Sequence, residues 1–157
     1  MTAGDYYPNA TDLMHYHYLV DRDGIIHSGR YKPSDNLNCT DGNYAAHCGG
    51  GNTGRIGIAL CCRLNYEIQP KPKQLEAFCK LAAQLCILYG LEPSDCVSHA
   101  EWGVSHPKTS SYGKIDINYI PNPPISGIKE CGDYLREKIS WYYIKLKNKE
   151  IEEVHLG

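Results

Sequence analysis

A near-continuous apolar run, Arg55 to Cys62, constrains the fold more than any other segment. It predicts a central strand covered on both faces, because strands with one solvated face alternate apolar and polar residues. Residues 14–20 are rich in aromatic and β-branched side chains, and we predict a second strand there. The turn Asp21-Arg22-Asp23-Gly24 then leads into residues 25–27, so these segments predict a hairpin.

One long amphipathic helix is predicted over residues 72–89, with a proline at its start and Gly90 as its stop. Its apolar residues recur at helical spacing: Leu75, Phe78, Cys79, Ala82, Leu85, Cys86 and Tyr89. We predict a short strand over Cys96 to His99, a loop over residues 100–124 and a final helix over residues 125–150. This order of elements predicts an α/β fold in which helices pack on a mixed sheet.

Size and composition exclude several classes of protein. The chain has 157 residues, which is the size of one domain, and its 22% charged and 42% hydrophobic residues exclude a disordered chain. A net charge of -2 argues against nucleic-acid binding. No apolar run approaches the ~20 residues of a membrane span, and the N-terminus resembles no signal peptide. We therefore expect a protein made in the cytoplasm, with neither nucleic acid nor membrane as a partner.

The eight cysteines include no C-x-x-C pair, so a structural zinc knuckle is not expected. They are also too sparse for a disulfide scaffold. We expect reduced thiols that serve as small core residues in a reducing compartment.

Two polar segments after residue 97 are candidates for a metal site. His99 ends the predicted strand and Asp116 lies in the following loop, where the two side chains can converge. Imidazole and carboxylate are both good zinc ligands. Lys114 shares a face with Asp116 if the segment is extended, which suits stabilisation of an oxyanion. The alternative is that His99 and Asp116 are hydrogen-bonded loop residues and that Lys114 is a solvated charge.

Three further histidines and one tyrosine are candidate site residues. His15 and His17 share one face of the predicted strand and can bind a metal, although a half-exposed strand face is the simpler interpretation. Tyr16 points to the opposite face, as either a phenol donor or a core residue. His47 precedes three glycines in the long loop of residues 32–54, where backbone can approach a ligand closely.

Taken in order, five segments resemble the zinc-dependent N-acetylmuramoyl-L-alanine amidases of the phage-lysozyme and peptidoglycan-recognition type (amidase type 2). The segments are Thr2-Ala3-Gly4; His15 to Gly24 with Ser28-Gly29-Arg30; Ala45 to His47 with Asn52 to Ile58; Ser98 to Glu101; and Gly113 to Ile117. Together they cover most of residues 2–120. The resemblance implies a central mixed β-sheet flanked by helices, and zinc bound by His99 and Asp116. It further implies catalysis by Lys114 and Tyr16, and substrate binding by His47 and Glu101. The candidate general bases are Tyr16, Glu101 and a zinc-bound hydroxide.

The resemblance implies a peptidoglycan hydrolase, similar to a phage or prophage endolysin, that cleaves the amide between N-acetylmuramic acid and L-alanine. The family's other zinc ligand belongs to a His-x-Thr-Ala-Gly motif, and here it would fall just before Met1. We therefore expect a histidine encoded upstream, recruitment of His15 or His17, or a degenerate or non-catalytic peptidoglycan-binding protein. Residues 1–124 are expected to form the N-terminally clipped amidase-like domain. Residues 125–157 are expected to form a helix and charged tail packed on it.

Overall fold

A three-stranded mixed sheet lies at the centre of the computed structural model, which describes residues 5–63 and 69–156. Its strands are β1 (Tyr18–Val20), β2 (Ile26–Ser28) and β3 (Ile58–Leu60), in the order β2-β1-β3. β1 pairs antiparallel with β2 and parallel with β3, and Leu19 lies opposite Ala59 in the parallel register. The predicted mixed sheet is therefore confirmed, with shorter strands than the sequence indicated.

Helix α2 (Pro72–Tyr89) packs on one face of this sheet and has the predicted boundaries. Gly90 ends it in the left-handed conformation, with φ of 67°, which costs glycine little. The buried Gln74 connects the helix to the sheet through hydrogen bonds. Its side-chain amide donates to the backbone oxygens of Val20 and Cys61, at 3.0 and 2.9 Å.

A second long helix, α4 (Ile128–Lys147), packs along α2 and completes the main core. Its buried residues are Cys131, Gly132, Leu135, Ile139 and Leu146. On the other face of the sheet, the short helix α1 (Ala10–His15) contributes Leu13 to a small cluster around Leu19, Ala59 and Cys61. Helices therefore flank the sheet on both sides, as expected for the α/β class.

The predicted strand over residues 14–20 is only partly correct. Strand β1 covers residues 18–20, and residues 10–15 form α1 instead. Asn9 begins that helix, because its side chain accepts from the Asp12 backbone while the Asp12 carboxylate accepts from Asn9. His15 and His17 therefore do not share a strand face.

The predicted strand at residues 96–99 is wrong, and so is the structureless loop after it. A 3-10 helix (Pro93–Asp95) leads to helix α3 (His99–Ser105), and strands β4 (Tyr119–Pro121) and β5 (Pro124–Ser126) form a separate hairpin. The proposed domain boundary after residue 124 falls inside this hairpin and stays a prediction. Within residues 5–63 and 69–156, no helix combines the length and apolar character that a bilayer span requires.

Candidate active site

Helix α3 presents His99 as its first residue. Ser98 caps the helix, because its hydroxyl accepts from the Glu101 backbone at 3.1 Å, and a Glu101 carboxylate oxygen accepts from the Ser98 backbone at 2.9 Å. This reciprocal pair is the S-x-x-E signature of a helix start. The Ser98 to Glu101 segment therefore sets the position of the His99 ring.

Helix α4 holds this helix start in place through Arg136. Its guanidinium donates to both carboxylate oxygens of Glu101, at 2.9 and 2.7 Å, and to the Cys96 backbone oxygen at 3.0 Å. Burial acts to raise the pKa of Glu101, but Arg136 and Ser98 outweigh it and hold the pKa below its ordinary value. A carboxylate held in this way is a weak base. The predicted role of Glu101 in substrate binding stays a prediction.

His99 and Asp116 converge as the sequence analysis predicts. His99 Nδ1 lies 3.4 Å from Asp116 Oδ1, and the side chains are 11% and 17% exposed. The Ala100 backbone donates to the Asp116 backbone oxygen at 2.8 Å, which ties the loop to the first turn of α3. Burial acts to raise the pKa of Asp116, but the hydrogen bond and charge of the neighbouring His99 outweigh burial. The pKa of Asp116 therefore lies below its ordinary value. The site therefore offers an imidazole nitrogen beside a charged carboxylate.

This spacing fits zinc. Two ligands at about 2.0–2.2 Å from one tetrahedral zinc ion lie about 3.4 Å from each other, and the two atoms here are 3.4 Å apart. The separation exceeds the ~2.7–3.2 Å of an ordinary N–H···O hydrogen bond. Among the described residues, no group of three or more His, Cys, Asp or Glu side chains can hold a metal ion. The described part of the chain therefore brings one imidazole and one carboxylate together at a separation compatible with zinc, and Thr2-Ala3-Gly4 lies outside it.

Tyr16 lies just after α1 and packs against the small cluster on that face of the sheet. Burial, together with the negative charges of Asp116 and Asp12, raises the pKa of Tyr16 to about 12. The phenol therefore keeps its proton at neutral pH and acts as a hydrogen-bond donor.

Lys114 lies in a turn, where its backbone N–H donates to the Ser111 backbone oxygen at 3.2 Å. Its side chain is exposed, and its ammonium has no ion pair with any described residue. The structure thus brings His99 and Asp116 together and leaves the Lys114 side chain in solvent, and the predicted catalytic roles of Tyr16 and Lys114 stay predictions.

A buried polar network surrounds His47. His17 uses both ring nitrogens, accepting from the Gly57 backbone at Nδ1 and donating from Nε2 to Asn36 Oδ1, each at 2.9 Å. Asn36 in turn donates to the backbone oxygens of Ala45 and Asn52, each at 3.0 Å. His17 is therefore not available to a metal, and His15 is exposed. Sequence reasoning did not identify Asn36.

His47 itself lies 7% exposed against Gly57, where a Cβ atom would approach the His47 ring to 2.4 Å. Burial and the neighbouring His17 lower the pKa of His47 to about 4, so the ring is neutral at physiological pH. Within the described residues its Nδ1 has no hydrogen-bond partner. That nitrogen is itself buried, so the His47 ring contributes to the site by packing and not through Nδ1.

A cavity of about 620 Å³ lies beside the site, and residues of the main core form part of its wall. Of the predicted site residues, His47, His99 and Glu101 lie in its wall. Trp102 of α3 closes one side, with the Arg55 guanidinium 5.7 Å from its ring centroid. The remaining wall is mainly apolar and comes from α2 and α4. The cavity therefore runs inward from the His99 side of the site.

The sequence profile of a known family matches residues 2–114, which is more than half of the chain, and its description is N-acetylmuramoyl-L-alanine amidase. No curated protein matches the chain, and no solved structure does. The matched region contains the sheet, helices α1 to α3, His99 and Lys114. By sequence pattern and fold, the chain belongs to the N-acetylmuramoyl-L-alanine amidase family.

Proposed function

We propose that this protein hydrolyses the amide bond between N-acetylmuramic acid and L-alanine in peptidoglycan, with a zinc ion held by His99 and Asp116. The observation that carries the proposal is the 3.4 Å separation of His99 Nδ1 and Asp116 Oδ1. When bound, zinc supplies a Lewis acid for the amide carbonyl and for water. The reaction adds water across the amide, and it yields a lactyl carboxylate and the amino group of L-alanine.

The chain's own residues complement this chemistry. Tyr16, with a pKa of about 12, donates a hydrogen bond to the carbonyl oxygen as negative charge develops on it. The Lys114 ammonium is the second donor, because its side chain lies in solvent next to Asp116 and can turn toward a bound substrate. His47 is neutral and lies in the cavity wall, where it forms part of the surface that contacts the muropeptide.

We further propose that the wall-degrading activity serves a phage or prophage lysin that stays in the cytoplasm until release. The support is the family match, together with the similarity of the His99, Lys114 and Asp116 segments to the lysins of the family.

One observation favours a second candidate, a protein that binds peptidoglycan without cleaving it. A pair of ligands holds zinc weakly, and the described residues contain no third ligand beside His99 and Asp116. In such a protein, His47 and the cavity would still contact the muropeptide.

Zinc analysis combined with a cleavage assay separates the two candidates. The purified protein is expected to contain one zinc per chain and to release new N-terminal L-alanine from muropeptides, as detected by mass spectrometry. His99→Ala and Asp116→Asn should lose both properties, whereas the exposed His155→Ala should retain them. Wall binding without zinc or cleavage would support the binding protein instead. Absence of zinc, cleavage and wall binding together would refute both proposals.

A further inference from the structure

A fully buried hydroxyl lies directly behind the zinc-ligand pair. Ser111 is 0% exposed, and its Oγ lies 2.9 Å from His99 Nε2 and 2.8 Å from the Gly49 backbone oxygen. Among the described residues, Cys48 Sγ also lies near this hydroxyl, at 3.5 Å. A buried serine with this set of contacts can control the state of the imidazole.

The direction of each hydrogen bond follows from the chemistry of the groups. A carbonyl oxygen only accepts, so the Ser111 hydroxyl donates its single hydrogen to the Gly49 backbone oxygen. The same oxygen must then accept from His99, which places the ring hydrogen on Nε2. In the neutral ring, His99 Nδ1 consequently carries a lone pair, and Nδ1 lies 3.4 Å from Asp116 Oδ1.

We propose that Ser111 is a positioning residue that selects the Nε2–H tautomer of His99 and so prepares Nδ1 to bind the metal. This inference rests on the proposed role of His99 as a zinc ligand. Partners of this kind fix the tautomer and orientation of metal-bound histidines, and their loss typically lowers metal affinity about 10- to 100-fold.

The glycine run after His47 makes this arrangement possible. A Cβ atom at Gly49 would lie 1.8 Å from Ser110 Oγ, so only glycine lets the two loops come this close. The close approach brings the Gly49 carbonyl within reach of the Ser111 hydroxyl. The segment from 49 to 51 thus serves the site through its backbone.

The tautomer of His99 can be measured directly in the zinc-free protein near pH 8 from long-range ¹H–¹⁵N NMR spectra. The wild type is expected to show the Nε2–H form, and Ser111→Ala should shift His99 toward the other tautomer. By chelator competition, that variant should also bind zinc about 10- to 100-fold more weakly. The exposed neighbour Ser110→Ala is the matched control and should match the wild type in both measurements.

Ser111→Thr keeps the hydroxyl and should restore the tautomer, which a merely structural role for Ser111 would not require. An Nδ1–H tautomer in the wild type would overturn the inference even if no variant folded. The NMR measurement needs no zinc, so it stands apart from the proposed function. Loss of zinc binding by the wild type would refute that function and leave the tautomer result unaffected.

A different observation supports a second inference, at the inner end of the cavity. Cys86 Sγ, in the last turn of α2, lies 3.5 Å from Cys96 Sγ, and both residues lie in the cavity wall. A disulfide has an S–S distance of about 2.05 Å, so a movement of about 1.5 Å joins the two sulfurs. The other six cysteines have no thiol partner in the described structure.

We infer that Cys86 and Cys96 form an oxidisable pair. A low-molecular-weight disulfide such as oxidised glutathione supplies the oxidant: one thiolate attacks it, and the second thiolate displaces glutathione from the mixed disulfide. The protein loses two thiol hydrogens, and two reduced glutathione molecules form. The new bond ties Cys96 to α2, two residues before the Ser98 cap of α3.

Titration with oxidised glutathione, followed by peptide mapping, tests this pair. The expected product is a Cys86–Cys96 cross-link with the mass loss of two hydrogens. Cys86→Ser should abolish it, and Cys39→Ser, at another partly exposed cysteine, should leave it unchanged. Glutathione adducts alone, or no reaction, would overturn the inference.

Discussion

His99 in the proposed zinc site and the nearby His47 are oriented by different interactions. His99 is oriented by directed contacts with Ser111 and Asp116 and keeps some exposure. His47 is oriented by packing against Gly57, and burial lowers its pKa to about 4. His47 therefore stays uncharged across the physiological range, which suits a packing role better than proton transfer.

At the level of single residues, Lys114→Met is expected to lower kcat about 100-fold or more, the usual cost of losing one oxyanion donor. Zinc content should not change, because the ammonium contacts neither His99 nor Asp116 in the structure. The control is Lys108→Met, which removes another exposed lysine of the same loop. Equal activity of the wild type and Lys114→Met on cell walls would remove Lys114 from the mechanism.

Tyr16→Phe provides a second test at this scale. Because the pKa of Tyr16 is raised to about 12, the phenol donates a hydrogen bond and does not act as a base. The variant should lose about 100-fold in kcat while the shape of the pH–rate profile between pH 6 and 10 stays the same. Tyr112→Phe, at an exposed site, is the control. If a limb of the wild-type profile disappeared in Tyr16→Phe, the phenol would be the general base.

At the level of elements, the seven-residue helix α3 depends on α4. Arg136 binds both oxygens of Glu101, and a Cβ atom at Gly132 would lie 2.4 Å from that carboxylate. The close contact at Gly132 fixes how near α3 lies to α4. The placement of His99 is thus a property of helix packing as well as of its own loop.

Arg136→Met should lower the free energy of unfolding by about 1–3 kcal/mol, because it leaves a half-buried carboxylate without its partner. Lys129→Met removes the exposed ion pair with Asp133 and should change the free energy of unfolding far less, because exposed ion pairs contribute little to stability. Urea denaturation measures the free energy of unfolding of both variants. Equal effects of the two substitutions would show that the Arg136 contact is no stronger than a surface pair.

The sequence predicts elements well where local signals agree. Helix α2 has a long apolar stripe, a proline start and a glycine stop, and its bounds match the prediction. Helix α1 has only six residues and no such stripe, so the aromatic residues beside it favoured a strand. The start of α3 is encoded in Ser98 and Glu101, which form a capping pair, whereas the sequence analysis predicts a strand that ends at His99 over the same residues.

The sequence predicts that His99 and Asp116 converge, but it does not predict the contacts that orient them. Family resemblance brought His99 and Asp116 together, and the structure places them in contact distance. Ser111 could not be found from sequence, because its role depends on a close approach between loops that are 62 residues apart along the chain. Tertiary packing, which no local pattern encodes, also determines the exposure of Lys114.

On the scale of the whole molecule, buried thiols make the fold sensitive to alkali. Burial raises the pKa values of Cys61, Cys62 and Cys79 from 9.0 to about 12. In the unfolded chain these thiols ionise near pH 9, whereas in the fold they keep their protons. Their contribution to stability is therefore complete below pH 9 and is lost as the pH rises toward 12.

The free energy of unfolding should accordingly fall by about 1 kcal/mol or more per pH unit above pH 9. Urea denaturation at pH 8, 9.5 and 10.5 measures this slope. Cys79→Ala should be less stable at pH 8, because it leaves a cavity, but its stability should fall less steeply with pH. A slope that is flat up to pH 10.5 would contradict the assigned pKa values.

The contact between α4 and the start of α3 has a consequence for protein engineering. The family pattern ends at residue 114, so a chimeric lysin assembled from that stretch alone would omit Arg136 and the apolar face of α4. Its Glu101 would carry an unpaired charge, and α2 would expose its inner surface. Fusion junctions in such chimeras belong beyond Val154, because its backbone exchanges two hydrogen bonds with the Gln84 side chain of α2, at 2.8 and 2.7 Å.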